Sequence, residues 1–186
     1  MSLKLWTALA ASVIAYPAQA QSDLQNGFAG ALRGCETWVL TPSSWATGSA
    51  PFLKTVGLGD KIGLVESVSE ASLPPQQLRV ANHYWRINST ADAGYVLVVS
   101  DRIPMCHITG GGATDLQPIV EALLASSEFQ SRWQKMKDNS QGDMISTAYK
   151  NRQEPAFSIV ISRAKKPTQR LDRVQVLATA TFETSK

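Results

Sequence analysis

Two histidines are the side chains of this sequence best suited to acid–base chemistry. His83 or His107 would act as a general base if the fold placed an acid such as Asp101 or Asp115 beside it. Neither lies in an H-E-x-x-H motif or within a cluster of metal-ligand residues, so we predict no metal site and no cofactor. A hydrogen-bonded structural histidine is the commoner outcome. A small periplasmic hydrolase that uses His107 or His83 is therefore the alternative function.

Two cysteines, Cys35 and Cys106, are the only ones in the chain. In an oxidising compartment such a pair is expected to form one disulfide, and a loop of this length contributes roughly 4 kcal/mol in the chain-entropy model. The other interpretation is a nucleophilic Cys106 with His107 as its base. Adjacent residues of a strand point to opposite faces, which argues against that pair. A redox role is a third hypothesis, although no C-x-x-C motif is present.

The N-terminus has the order of a secretory signal peptide. Lys4 precedes an uncharged apolar run over residues 5–16, and Pro17 then leads into Ala18-Gln19-Ala20. This run is shorter than the ~20 residues that cross a bilayer, and small residues at positions −3 and −1 define a cleavage site. We expect cleavage between Ala20 and Gln21, which would deliver residues 21–186 to the periplasm or outside the cell.

A glycine-rich segment, residues 109–115 (TGGGATD), lies between a predicted strand and a predicted helix. Backbone N–H groups at such a junction can bind an anion. The segment matches neither G-x-x-x-x-G-K-[ST] nor G-x-G-x-x-G, and Asp115 would repel a phosphate. We favour a flexible connection over an anion site.

Charge composition excludes one large class of partner. The chain has 18 Lys and Arg against 15 Asp and Glu, a net charge of +3, and leader cleavage would remove only Lys4. So weak a charge predicts no nucleic-acid binding. A basic segment with Lys165, Lys166 and Arg170 allows contact with an anionic membrane surface or an acidic partner, although a solvated loop explains it equally simply.

A tryptophan in an irregular stretch is a further candidate for ligand or partner binding, although burial in the core is the favoured interpretation. Trp45 follows Pro42-Ser43-Ser44, where no regular element is expected. A partly exposed tryptophan can anchor a ligand.

Hydrophobic periodicity predicts the elements that must position these residues. A helix is expected over 23–34, with Gly34 as its stop, and another over about 115–137, with a break at Ser126-Ser127. The predicted strands are 63–68, 84–88, 95–100, 103–109, 144–149, 156–164 and 173–183.

These elements predict one α+β domain over residues 21–186. We expect a mainly antiparallel sheet of about five to seven strands with helices packed on one face. Export, an expected disulfide and the lack of a catalytic signature favour a non-catalytic binding protein. Its partner would be an envelope protein or a small ligand.

Overall fold

An eight-stranded antiparallel sheet forms the centre of the structure, a computed structural model that describes residues 16–183. The strands are β1 (Ile62–Val65), β2 (Asn82–Ile87), β3 (Ala93–Ser100), β4 (Met105–Gly112), β5 (Trp133–Gln141), β6 (Met144–Asn151), β7 (Phe157–Ala164) and β8 (Val174–Phe182). Their spatial order is β1-β2-β3-β4-β8-β7-β6-β5. The α-helices are α1 (Tyr16–Leu40), α2 (Ala50–Val56), α3 (Gln117–Leu124) and α4 (Ser127–Arg132). The predicted α+β class is confirmed.

The sheet has eight strands, more than the five to seven predicted. The additional strand is β5, which begins at Trp133, within the segment predicted to be helical up to residue 137. Trp133 packs 5.5 Å from Phe157, and β5 pairs along its length with β6. Met136, placed in a helical apolar stripe by the periodicity, is 51% exposed. The remaining residues of β5 are polar, so sheet pairing rather than burial holds this segment.

Helix α1 continues past Gly34, where the sequence predicted its end. Cys35 and Trp38 extend the apolar stripe of the helix and are both buried. A Cβ added at Gly34 would lie 2.9 Å from the Leu97 side chain on β3. Gly34 is therefore a close-packing residue, and tertiary contact outweighs its weak helix propensity.

The sulfur atoms of Cys35 and Cys106 lie at disulfide distance, with Cα atoms 5.4 Å apart. This linkage connects α1 to β4 near the centre of the sheet. Both residues belong to the main buried cluster, which also includes Leu97 and Ile108. The disulfide is thus embedded in the hydrophobic core.

The glycine-rich segment is part of a strand rather than a flexible connection. Strand β4 continues through Gly112, and Gly110 opposes Tyr95 and Val176 in the neighbouring strands. A Cβ at Gly110 would lie within 2.6 Å of both side chains. Gly112 has φ +131°, so it alone of these glycines needs the conformational freedom that glycine provides.

The predicted break after α3 is confirmed. Ser126 caps α4 by accepting a hydrogen bond from the Phe129 N–H at 3.2 Å. Asp115, where the second helix was predicted to begin, accepts a hydrogen bond from the Gln117 N–H at 3.1 Å. It lies one residue before Leu116, which is the N-cap of α3.

The predicted leader lies mostly outside the described residues. Of residues 1–20, only 16–20 are described, and they form the start of α1. Within residues 16–183, no helix is long and apolar enough to span a bilayer.

Candidate functional site

A cleft of about 320 Å³ brings together aromatic and titratable side chains at one end of the sheet. We call it the tryptophan cleft. Its lining residues are Trp38, Trp45, Ala46, Ser49, Leu64, His83, Trp85 and Asp101.

Strand alternation, strand pairing and the loop between α1 and α2 bring the lining residues of this cleft together. His83 and Trp85 are two residues apart on β2 and therefore share a face. Leu64 on β1 pairs with Trp85 in the antiparallel register. Asp101 follows the end of β3, which pairs with β2. The loop between α1 and α2 adds Trp45.

Two stacked indoles form one wall of the cleft. The rings of Trp38 and Trp45 lie 4.5 Å apart with an interplanar angle of 7°. Trp45 donates its indole N–H to the Trp38 carbonyl at 3.0 Å, and Trp38 donates to the Ser100 carbonyl at 3.0 Å. Trp38 is buried, whereas Trp45 is partly exposed. Trp45 is therefore a rigid aromatic surface supported from behind and open to solvent.

A histidine–aspartate pair lies at the edge of the cleft. His83 Nε2 is 2.7 Å from Asp101 Oδ2, and the side chains are 39% and 41% exposed. The His83 ring also lies 5.6 Å from the ring of Trp38. Among residues 16–183, no hydrogen bond involves His83 Nδ1 or Asp101 Oδ1. These two atoms are available to a ligand.

Trp85 contributes a buried donor. It lines the cleft and is 3% exposed, and its indole N–H has no hydrogen-bond partner among the described residues. This nitrogen has almost no solvent-accessible surface, so it is enclosed by the protein rather than open to a ligand, and an unsatisfied buried donor of this kind costs about 1–3 kcal/mol.

His107, the other candidate general base, lies away from the tryptophan cleft. It is 3% exposed on the sheet face opposite Cys106 and lines none of the described cavities. Its Nδ1 is 2.8 Å from Thr179 Oγ1, and its Nε2 has no partner within residues 16–183. Burial lowers the pKa of His107 to about 4. His107 is thus a buried imidazole beside a threonine, with no acidic partner among residues 16–183.

One of the three candidate binding residues in the basic segment, Arg170, has a structural role. Arg170 forms an ion pair with Asp143 at 2.7 Å and donates to the Val174 carbonyl at 2.7 Å. Lys165 and Lys166 are exposed on the β7–β8 loop. None of the three lines the tryptophan cleft.

The largest described cavity, about 500 Å³, involves the glycine-rich segment. Gly110 and Gly111 form part of its lining, together with Arg86 and Arg173. Two carboxylates, those of Asp92 and Asp172, also line it, so its formal charges balance. The lining therefore carries no excess positive charge.

A further cavity of about 380 Å³ lies between α4 and the β5–β7 strands. Its buried Arg163 donates to Glu121 at 2.8 Å and to Thr147 Oγ1 at 2.7 Å. The guanidinium is thus engaged within the protein, and this network has the form of a structural ion pair.

No protein-family model matches this chain, and comparison with curated proteins and with solved structures gives no match either.

Sequence reasoning identified Trp45, His83 and Asp101 but not their convergence. Trp85 is buried in the core at one wall of the cleft, and the sequence indicated no role for Trp38 or Leu64. The predicted strand 84–88 began one residue after His83, so its shared face with Trp85 became visible only in β2 of the structure. Nothing in the sequence marked Leu64, which is 58% exposed on the edge strand β1.

Proposed function

We propose that this protein is an exported, non-catalytic binding protein and that the tryptophan cleft is its ligand site. The observation that carries the proposal is the combination, within one cleft, of the partly exposed Trp45 ring and the exposed, hydrogen-bonded side chains of His83 and Asp101. Ligand sites are typically apolar concavities with a few placed polar groups, and this cleft has that composition.

The arrangement of the helices supports a rigid site. We infer that α1 and α3 form one layer over the sheet face that carries Leu97 and Ile159. Helix α1 packs against β3, β4 and α3, and α3 packs against β7 and β8. This layer would fix Trp38 at the end of α1, and through it the Trp45 ring.

Export and a periplasmic or secreted location remain part of the proposal. The disulfide geometry of Cys35 and Cys106 is consistent with an oxidising compartment. N-terminal sequencing of the protein recovered outside the cytoplasm tests this part. A chain that begins at Gln21 supports it, and a chain that still begins at Met1 in the cytoplasm contradicts it.

A small hydrolase is the second candidate, and the His83–Asp101 pair is the observation that favours it. An aspartate that orients a histidine is the base half of a catalytic triad. Ser49 lines the same cleft, but no hydrogen bond joins its hydroxyl to His83. Without an engaged nucleophile, the pair is better explained as a polar ligand contact.

Two assays separate binding from hydrolysis. In a thermal-shift screen of small ligands, a ligand that binds in the cleft should raise the Tm of the wild type and of a Met136→Ala control, but not that of Trp45→Ala. Met136 is a matched control because it is apolar, exposed and distant in the fold, on β5. Hydrolysis of p-nitrophenyl esters should stay at background. Turnover that falls at least ~10-fold in His83→Gln would instead establish the hydrolase.

A further inference from the structure

The polar groups around the tryptophan cleft define what its ligand must offer. Asp101 Oδ1 can only accept a hydrogen bond, and His83 Nδ1 has no hydrogen-bond partner among the described residues. The Ser49 hydroxyl can do either. A ligand that fills the cleft therefore needs both donors and acceptors at its edge.

The aromatic wall adds a second requirement. Trp38 covers one face of the Trp45 ring, so the ligand meets a single flat surface rather than a cage of rings. A cage of several aromatic faces is what recognises quaternary ammonium groups, and a stacked pair does not provide it. The ligand therefore presents a flat, largely apolar face to Trp45.

The charged groups that line the cleft disfavour an anionic ligand. His83 and Asp101 are the only titratable residues in its lining, and they are paired with each other. No lysine or arginine of the described chain lines it. A phosphate or nucleotide would meet a carboxylate without a compensating cation.

Proline-rich peptides satisfy only half of these requirements. They pack well on aromatic surfaces and their carbonyls accept hydrogen bonds, but proline has no N–H to donate. Asp101 would be left without a partner beside such a peptide. A sugar ring presents C–H groups on its flat face and hydroxyls at its edge that both donate and accept.

We propose that the ligand of the tryptophan cleft is a neutral saccharide, with one sugar ring stacked on Trp45, a ring hydroxyl donating to Asp101, and a second hydroxyl hydrogen-bonded to the Ser49 hydroxyl. This inference rests on the proposed binding function and specifies the chemical class of the ligand.

The test uses the oxidised protein labelled with ¹⁵N at its tryptophans, so that each indole N–H gives one signal. Three probes are titrated separately: maltotriose, chitotriose and a proline-rich decapeptide. At least one trisaccharide should shift the Trp45 and Trp85 signals in a saturable manner. The Trp133 signal should not move, because that ring packs between Phe129 and Phe157 away from the cleft.

Variants identify the contacts. Trp45→Ala should weaken trisaccharide binding more than ~30-fold, Trp45→Phe, which keeps a flat ring, by less than ~10-fold, and Asp101→Asn by ~10-fold. An unchanged Trp133 signal in each variant reports an intact fold.

The outcomes are distinct. Shifts with the decapeptide but with neither trisaccharide would overturn the saccharide inference and leave the binding function standing. No shift with any of the three probes would contradict both. Trisaccharide binding of equal strength in the wild type and Trp45→Ala would place the sugar elsewhere and overturn the inference.

Discussion

His83 Nε2 lies 2.7 Å from Asp101 Oδ2 at the edge of the tryptophan cleft, in a hydrogen-bonded pair whose side chains are about two-fifths exposed. Exposed pairs contribute little to stability because water screens the charges and side-chain entropy opposes them. We expect His83→Gln to change the free energy of unfolding by less than about 1 kcal/mol while it weakens ligand binding.

Arg163 provides the comparison for this prediction. Its side chain is 8% exposed and is hydrogen-bonded to Glu121 and Thr147. Arg163→Gln should therefore cost more than about 2 kcal/mol in urea denaturation. If His83→Gln were as destabilising as Arg163→Gln, the His83–Asp101 pair would have a structural rather than a ligand-binding role.

The disulfide geometry of Cys35 and Cys106 predicts a redox-dependent stability. The two residues are 71 positions apart, and a crosslink over that distance stabilises by at most about 4 kcal/mol. Cys35→Ala with Cys106→Ala should lower the free energy of unfolding by about 2–4 kcal/mol. Thiol titration of the denatured wild type should give no free thiols without reductant and two after reduction. Two free thiols in the unreduced protein would show that the bond is not formed.

Gly110 tests the packing between β3, β4 and β8. An alanine Cβ would lie 2.5 Å from Tyr95 and 2.6 Å from Val176, so these rigidly packed side chains must move. Gly110→Ala should destabilise the protein by about 1–3 kcal/mol. Gly63→Ala on edge strand β1 is the matched control, because nothing lies within 4 Å of its added Cβ. Equal midpoints for the two variants in urea denaturation would contradict this packing.

The buried imidazole of His107 predicts a pH-dependent stability. Desolvation lowers its pKa to about 4 in the folded protein, whereas an unfolded histidine titrates near 6.5. Between these values the unfolded chain binds a proton that the folded chain does not, so the stability from neutral His107 is complete above pH 6.5 and is lost as the pH falls toward 4. The loss is about 3 kcal/mol in total.

A substitution isolates this effect from the titration of carboxylates. His107→Gln can keep a hydrogen bond to Thr179 but does not titrate. Unfolding free energies from pH 7.5 to 4 should fall less steeply for His107→Gln than for the wild type. Parallel curves for the two proteins would show that His107 is not buried in its neutral form.

The sequence predicted most of the sheet because its strands alternate. Phe157, Ile159 and Ile161 mark β7, and Val176, Ala178 and Ala180 mark β8; all six are buried as expected. Strand β5 escaped detection because only Met136 is apolar after Trp133, so the strand has no alternating pattern and is held by pairing with β6. Gly34 was misinterpreted because its close contact with Leu97 is a tertiary property that composition does not reveal.

The candidate site was predictable only in parts. Trp45 and His83 each carried a recognisable chemical property, but 37 positions separate them in the chain. They meet because β2 pairs between β1 and β3, and because the loop after α1 folds back to stack Trp45 on Trp38. Neither the register nor the stack follows from local periodicity.

Isothermal titration calorimetry tests ligand binding in the tryptophan cleft most directly. The trisaccharide that gives the larger spectral shift is titrated into each of three proteins. The wild type and Met136→Ala should bind it with dissociation constants within about twofold of each other, and Trp45→Ala should bind it more than ~30-fold more weakly. Equal affinities in all three proteins, or no heat of binding in the wild type, would contradict the role assigned to Trp45 and its cleft.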